Sequence, residues 1–566
     1  MNSFSSGRWL KRVKFHNFKP YCIFMIDFRS KHPVLVFAFV FMLCSITAES
    51  IAQHYYLPLS HELNSKFDSS LNKPGSNFHT SVKPYMVNEM RAEGVSDTIS
   101  GFGSGPFPNS QSRLARKLFR EHLLEIKGSD YLISIDPVFD FTMGYTSETD
   151  TSRATYVNGR GIQVDGYFGK GFSFQSRFME TQAEYPGYVD SAIRATSVVP
   201  GGGRTKKLYG GFDYGVSSGS ISYALPKYFS FQLGYDKNFI GDGYRSLLLS
   251  DNSYHYPFLK VNANFWKIKY MVLYTMFLDG PDGKGEDRSY NRKYGTFHYI
   301  DINIGKRLSI GLLESIIWKY DSTRAYDLSY LNPVLFLRPV EFSIGSPDNA
   351  LLGMNFKYKV AQRHHVYGQI ILDEFKISEV RTGDGWWANK HGFQFGWRGF
   401  GLFGLKNLDA FAEFNYVRPY TYQHRSSLTS YAHFNQPLAH PLGANFKEYL
   451  ASVSYSKGRW KGATRISLAE VGYDLDAELN PVNFGNNVLL SYETHPFEYG
   501  NTVGQGLNTD VINLEAKVSY LVNPASNLYL EGGAQYRNAQ NAVNESNTVF
   551  LYFGIKNLIG NRYFDF

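Results

Sequence analysis

Ile300-Asp301-Ile302-Asn303-Ile304-Gly305-Lys306-Arg307-Leu308-Ser309-Ile310-Gly311-Leu312 decides the fold. Ile and Leu occupy every second position, and Asp, Asn, Ser and Gly fill the positions between them. A period of two is that of a β-strand with one apolar and one polar face. Gly305-Lys306-Arg307 interrupts the alternation at its centre, so the stretch reads as a hairpin. The same texture recurs around Gly169-Lys170-Gly171, Leu225-Pro226-Lys227, Lys457-Gly458 and Asn523-Pro524. Between these tight turns lie long polar connections, at residues 185–204, 278–294 and 418–448. Short turns alternating with long loops are the pattern of an outer-membrane barrel. The patterned region begins near Tyr131, and about 435 residues at about 22 to 27 per strand and connection give some 16 to 20 strands, with 18 expected. No repeat of fixed period is present, which argues against a propeller.

Composition fits two environments for one wall. The 566 residues include 42 Tyr and 45 Phe, yet mean hydropathy is only −0.30. Rings in aromatic belts beside lipid, with polar side chains on the lumenal face, satisfy both facts.

Residues 1–52 read as an export signal. Arg29 and Lys31 precede the apolar run 34–44, and Ser50-Ile51-Ala52 offers small residues where a signal peptidase reads, placing cleavage before Gln53. Met25 is an alternative start that gives a signal of ordinary length. Cys22 and Cys44 both fall in this segment, and Phe41-Met42-Leu43 is a poor lipobox. The mature chain is therefore expected to be free of cysteine. The formal charge of +8 also shrinks: without the seven basic and two acidic residues of the leader, 51 basic face 48 acidic residues. That balance gives no footprint for nucleic acid.

Residues 53–129 read as a small, partly helical periplasmic cap or leader, with the best helical pattern at 113–126. Residues 130–566 are expected to form the barrel. The ending Tyr563-Phe564-Asp565-Phe566 matches a last strand with aromatic residues that outer-membrane assembly machinery reads.

Three segments break the alternation while being rich in charge and rings. The first, residues 239–251, carries Asp242, Arg245 and Asp251. The second, residues 328–349, carries Arg338, Glu341, Asp348 and Asn349. The third begins Val417-Arg418-Pro419-Tyr420 and runs to Asn445, and beside it stands Gly385-Trp386-Trp387-Ala388-Asn389-Lys390. These segments resemble the Wzi family of capsule-assembly barrels. The third segment and the Trp386-Trp387 stretch resemble the branch known as gliding motility protein RemB. The resemblance runs from about residue 136 to 566, and weakly through residues 56–85. It implies an 18-stranded barrel with periplasmic helices that attaches or organises capsular or exopolysaccharide. For the RemB branch it implies instead a surface part in gliding motility, with adhesin or secretion partners.

The charges named above are too costly to face lipid, at about 2 to 4 kcal/mol each at mid-depth. Lumenal ion pairing that plugs the barrel, or saccharide contact by Asp242, Arg245, Asp251, Arg338, Glu341, Asp348, Asn349, Trp386, Trp387 and Arg418, is the expectation. Pro333 and Pro339 disqualify the second segment as a strand. Its apolar run is expected inside the lumen, with Arg338 and Glu341 meeting Asp242 and Arg245. Nothing points to an enzyme, a cofactor or a metal: His364, His365, His424, His433 and His440 lack ligand spacing, 279–287 is a poor calcium loop because Lys284 sits among its acids, and nucleophile and phosphate-loop motifs are absent. A barrel hydrolase acting on lipid is a distant alternative, and a diffusion porin a nearer one. The expected partners are membrane lipid and surface polysaccharide.

Overall fold

A computed structural model describes residues 55–95, 112–149, 151–208, 210–225, 228–280, 290–320, 327–335, 337–345, 348–374, 376–475 and 482–566. The leader and its cleavage point lie outside the described residues, as does most of the 279–287 loop. Eighteen antiparallel strands close into one barrel. In chain order they are β1 (Tyr131–Glu148), β2 (Ser152–Phe168), β3 (Phe172–Glu184), β4 (Gly211–Ala224), β5 (Phe229–Asp236), β6 (Tyr256–Phe265), β7 (Ile268–Asp279), β8 (Asn291–Ile304) and β9 (Leu308–Lys319). There follow β10 (Asn349–Ala361), β11 (His364–Leu372), β12 (His391–Gly399), β13 (Leu408–Val417), β14 (Phe446–Lys457), β15 (Trp460–Tyr473), β16 (Leu507–Asn523), β17 (Leu528–Asn541) and β18 (Glu545–Asn557). Each strand pairs with its neighbours in sequence. The ring is sealed where β18 meets β1, from Thr548 opposite Glu148 to Lys556 opposite Asp140.

The deciding hairpin forms as read, with Asn303 opposite Ser309 and Ile302 opposite Ile310. Its outward residues Ile304 and Leu312 are exposed, like Leu233, Phe393, Val453, Val518 and Phe553 elsewhere on the wall. A closed ring pairs its backbone groups without help from water, which is what hydrocarbon demands. The chain is an outer-membrane protein that crosses with strands; no helix among the described residues is long and apolar enough to do so. The short-turn end faces the periplasm and the long loops face outward.

Contrary to a water-filled pore, the inward polar face is buried, because four stretches of chain occupy the lumen. Residues 55–95 fill the periplasmic mouth with α1 (His61–Leu71), α2 (Val87–Ala92) and a small core of Leu57, Leu63, Phe67, Leu71, Phe78 and Met90. Ser60 caps α1, its side chain accepting from the Leu63 amide, with Glu62 in the first turn. Val82–Lys83 pairs with Phe239–Ile240 in the stretch between β5 and β6, joining two inserts. That stretch buries Leu247, Leu248 and Leu249 against Tyr256, Phe258 and Leu273 of the wall, and against Tyr422, Tyr431 and Leu438 of the 418–445 connection.

Two local readings change. The 113–126 pattern divides into α3 (Arg113–Phe119) and a short strand, Leu124–Lys127, paired with Leu132 to Ile135 of β1. Leu124 and Ile126 sit two apart and fit a strand equally well, so tertiary pairing decides. The terminal aromatic residues are not in a strand: β18 ends at Asn557, and residues 558–566 turn into the lumen. Their polar members are drawn there by charged partners. A further helix, α4 (Gly187–Thr196), forms within the 185–204 connection.

Candidate functional site

Asp242, Arg245 and Asp251 share the insert between β5 and β6, and each binds a different stretch of chain. Asp242 accepts from Asn355 at 3.0 Å, pairs with Lys357 at 3.1 Å and takes the Thr80 hydroxyl. Burial alone would raise its carboxyl, but Lys357 and Lys83 outweigh burial and hold it well below the usual range. Arg245 is 1% exposed and pairs with Glu448 at 3.0 Å and with Asp565 of the tail at 3.1 Å. Burial opposes its charge, but Asp565 and Glu448 prevail and keep it protonated. Asp251 accepts from Asn561 and from the Tyr563 hydroxyl, both at 2.7 Å. His61 of α1 completes the junction: its amide donates to Asn561 at 2.9 Å, and its ring shares a 2.9 Å hydrogen bond with Tyr563. This lattice ties the periplasmic insert, the central insert and the tail to one another. Every charge in it is answered from within the chain, so it is a plug.

Arg338 and Glu341 do not join that lattice, which corrects the lumenal expectation. Both lie on α5 (Leu337–Ile344), outside the barrel wall, and pair with each other at 3.1 Å. The physical reason is the wall itself: Glu314 on the outer face of β9 accepts from the Leu337 and Arg338 amides at 2.7 Å each. Asp348 accepts from the Tyr330 hydroxyl at 2.7 Å, and Asn349 donates to the Thr429 carbonyl at 2.8 Å. These four residues anchor loops and meet neither the central lattice nor the tryptophans.

Trp386, Trp387 and Arg418 do come together, at the extracellular rim. Residues 384–390 zip against 498–501: Trp387 donates its amide to Glu498 at 3.0 Å, and Gly500 donates to Asp384 at 2.8 Å. Gly385 is required at this approach, since its φ is 68° and a Cβ would stand 2.8 Å from the Asn501 nitrogen. The Trp387 indole donates to Glu498 at 3.0 Å and stacks on His495 at 4.3 Å. Tyr492 packs beside it at 5.1 Å, over the buried Lys390 ammonium at 4.7 Å, which pairs with Asp373 at 3.2 Å. Arg418 clamps the ledge from beneath, donating to the carbonyls of Trp386 at 3.3 Å and Asn501 at 3.2 Å. Around this rigid base Phe497 is 57% exposed and Tyr499 52%, with Trp386 half-buried.

The residues 492–499 were missed in the sequence, although Tyr492, His495, Phe497 and Tyr499 crowd a connection that shows no alternation. Tyr420 and Tyr422 supply a second signal, visible only in the fold. Both hold positive φ, 66° and 73°, a strain that functional loops tolerate when their surroundings impose it. The histidines have structural partners: His424 meets Thr429 at 2.8 Å, His433 accepts from the Leu278 amide at 3.0 Å and His440 meets Glu448 at 2.9 Å. Among the described residues no group of three or more His, Cys, Asp or Glu is placed to hold a metal ion. On the side of the lumen away from the dry core, a cavity of about 370 Å³ runs between the tail and the wall, lined in part by Thr142, Gln175, Arg177, Gln535, Tyr552 and Lys556.

No protein-family model matches the chain, and no curated protein matches it by sequence. Among solved structures it is similar to Wzi of Escherichia coli, described as an outer-membrane protein involved in group 1 capsule assembly and a carbohydrate-binding β-barrel. That match has a TM-score of 0.50 at 13% identity and covers 88% of this chain and 98% of Wzi. OprD of Pseudomonas aeruginosa matches with a TM-score of 0.38 at 12% identity over 75% of this chain and 94% of its own. OccAB2 of Acinetobacter baumannii matches at 0.39 and 8% identity, over 75% and 97%. The first likeness establishes the fold.

Proposed function

We propose that the protein holds or organises polysaccharide at the outer face of the outer membrane and catalyses no reaction. The ledge of Trp386, Trp387, Phe497 and Tyr499 carries this reading. Sugar rings present apolar C–H faces and hydroxyl edges, so they fit rigid aromatic faces rimmed by acids and amides. Here Phe497 and Tyr499 stand exposed and Trp386 and Trp387 half-buried at the extracellular end, on a base braced by Arg418 and Lys390, with Glu498 and Asp384 at the rim. The likeness to a carbohydrate-binding barrel supports the same class of ligand. The filled lumen disfavours a diffusion porin.

A motility role with adhesin or secretion partners is the second reading. It draws on segment 385–390, which carries that resemblance and sits at the rim where a partner can reach it. One experiment separates the two. A deletion strain is complemented with Trp386→Ala or Tyr499→Ala and scored for polysaccharide retention and for spreading on agar. On the leading reading each variant inserts normally, retains less polysaccharide, and binds isolated capsular glycan about tenfold more weakly in calorimetry, about 1.4 kcal/mol. Unchanged glycan affinity with lost spreading would favour the second reading.

A further inference from the structure

Residues 328–335 and 337–344, which follow β9 in the chain, lie along the outside of the barrel. Strand parity decides the side. On β9, Leu313 and Ile317 pack in the lumenal core, so Glu314, Ile316 and Trp318 point out. On β8, Asp301 meets His79 of the periplasmic insert, so Thr296 and His298 point out. On β7, Lys269 meets Glu89 inside, so Tyr270 and Tyr274 point out. The segment touches the outward set. Tyr330 lies 4.8 Å from Trp318, and its carbonyl accepts from Thr296 at 3.3 Å. The Leu331 carbonyl accepts from Tyr274 at 3.0 Å, and Glu314 takes the two amides that open α5. His298 meets the Tyr270 hydroxyl at 3.2 Å.

Depth gives these contacts their meaning. Glu314 stands six positions from Leu308, where β9 leaves its periplasmic turn. At about 3.3 Å per residue and a tilt of about 40°, that is about 15 Å up an apolar band about 25 Å tall. A polar group on the wall at that height is costly when it faces lipid, and irregular backbone there needs a protein partner for every N–H and C=O. The two needs answer one another. Thr296 and His298 are 0% exposed and Glu314 4%, all under the segment, while Pro333 and Pro339 bring no amide that needs a partner. The far side of the segment is apolar: Leu328 is 74% exposed, Val334 59% and Phe342 83%. It continues the apolar wall, where Leu312 is 47% exposed and Leu352 45%.

We propose that residues 328–335 and 337–344 form a re-entrant strap embedded among the acyl chains of the outer leaflet, docked on the barrel exterior by Glu314, Thr296 and Tyr274. Its occupant is hydrocarbon; the continuity of its exposed face with the lipid-facing wall is the argument.

The test is spin labelling in the full chain with Cys22 and Cys44 replaced by Ser, reconstituted in phosphatidylethanolamine–phosphatidylglycerol vesicles. Labels at Val334→Cys and Phe342→Cys are compared with Phe553→Cys on the wall of β18 and Val543→Cys in the extracellular turn before it. The strap labels should match position 553, colliding with oxygen and shielded from a water-soluble nickel chelate. Nickel collisions like those at 543 would place the strap in water and overturn the proposal. Low collisions with both agents and spin–spin broadening would put a second copy over the strap, and overturn it equally. Adding Glu314→Leu should release the Phe342→Cys label to nickel while the barrel stays heat-modifiable. A label that does not move would remove Glu314 from the docking role.

Discussion

Arg245 concentrates the energetics of the plug in one side chain. It is buried among Glu448, Asp565 and the rings of Tyr244 and Tyr563, each ring 5.2 Å from its guanidinium. Breaking a buried pair costs far more than the pair contributes, because the orphaned charges remain buried. Arg245→Met should therefore destabilise the folded protein by about 3 to 5 kcal/mol, read as a fall in the temperature at which the folded band disappears on a gel. His61 adds a pH dependence. Burial first, then Lys83, Arg398 and Arg465, hold its ring well below the ordinary value of 6.5, opposed only by Glu62. An undocked His61 takes a proton as pH falls through 6.5 and the docked ring refuses it. Docking is thus complete above 6.5 and weakens below it. Conductance in planar bilayers should rise on acidification to about pH 5. His61→Phe should flatten that rise, leaving the share of His440, which burial also holds low. The sequence marked Asp242, Arg245 and Asp251 as residues that must avoid lipid. It could not name their partners: Glu448 lies 203 positions from Arg245, a separation spanned only when the ring closes.

At the scale of elements, legibility follows periodicity. Strands impose a period of two, so the hairpin at Gly305-Lys306-Arg307 and the turns at 169–171 and 457–458 were readable. The connections carry no period, and their destinations depend on what the wall offers. The apolar run and two prolines of segment 328–349 predict a lumenal plug. Residues 328–335 and 337–344 lie outside instead, because Glu314, Thr296 and Tyr274 offer polar partners on the outer face. The tail was read as strand, yet it docks inside on Asp251, Arg245 and Arg537, which donates to the Phe566 carbonyl at 2.9 Å. Two mutants express these assignments. Truncation after Asn557 leaves all eighteen strands and should give an inserted, heat-modifiable barrel with raised conductance. Arg338→Ala, remote from the lumen, should leave conductance unchanged. The reverse pattern in single-channel recordings would return the plug to segment 328–349.

For the molecule as a whole, the ring dictates behaviour in detergent. Because strand pairing runs around the ring without a break, unboiled protein should migrate apart from boiled protein, with a β-rich circular dichroism spectrum. Coincident bands and a helical spectrum would contradict the fold. Alternation and loop lengths pointed to a closed barrel and to about 16 to 20 strands, a range that contains the eighteen observed, because closure is a property of the pattern as a whole. The tail's position then bears on chronology. Residues 558–566 follow β18, the strand that completes the seam with β1, and they bring Asn561, Tyr563 and Asp565 to the inserts already inside. A barrel stalled before its last strand has none of these bolts. The seam and the plug are therefore coupled: the stretch that bolts the inserts is tethered directly to the strand that closes the ring, so bolt and seam form or fail together.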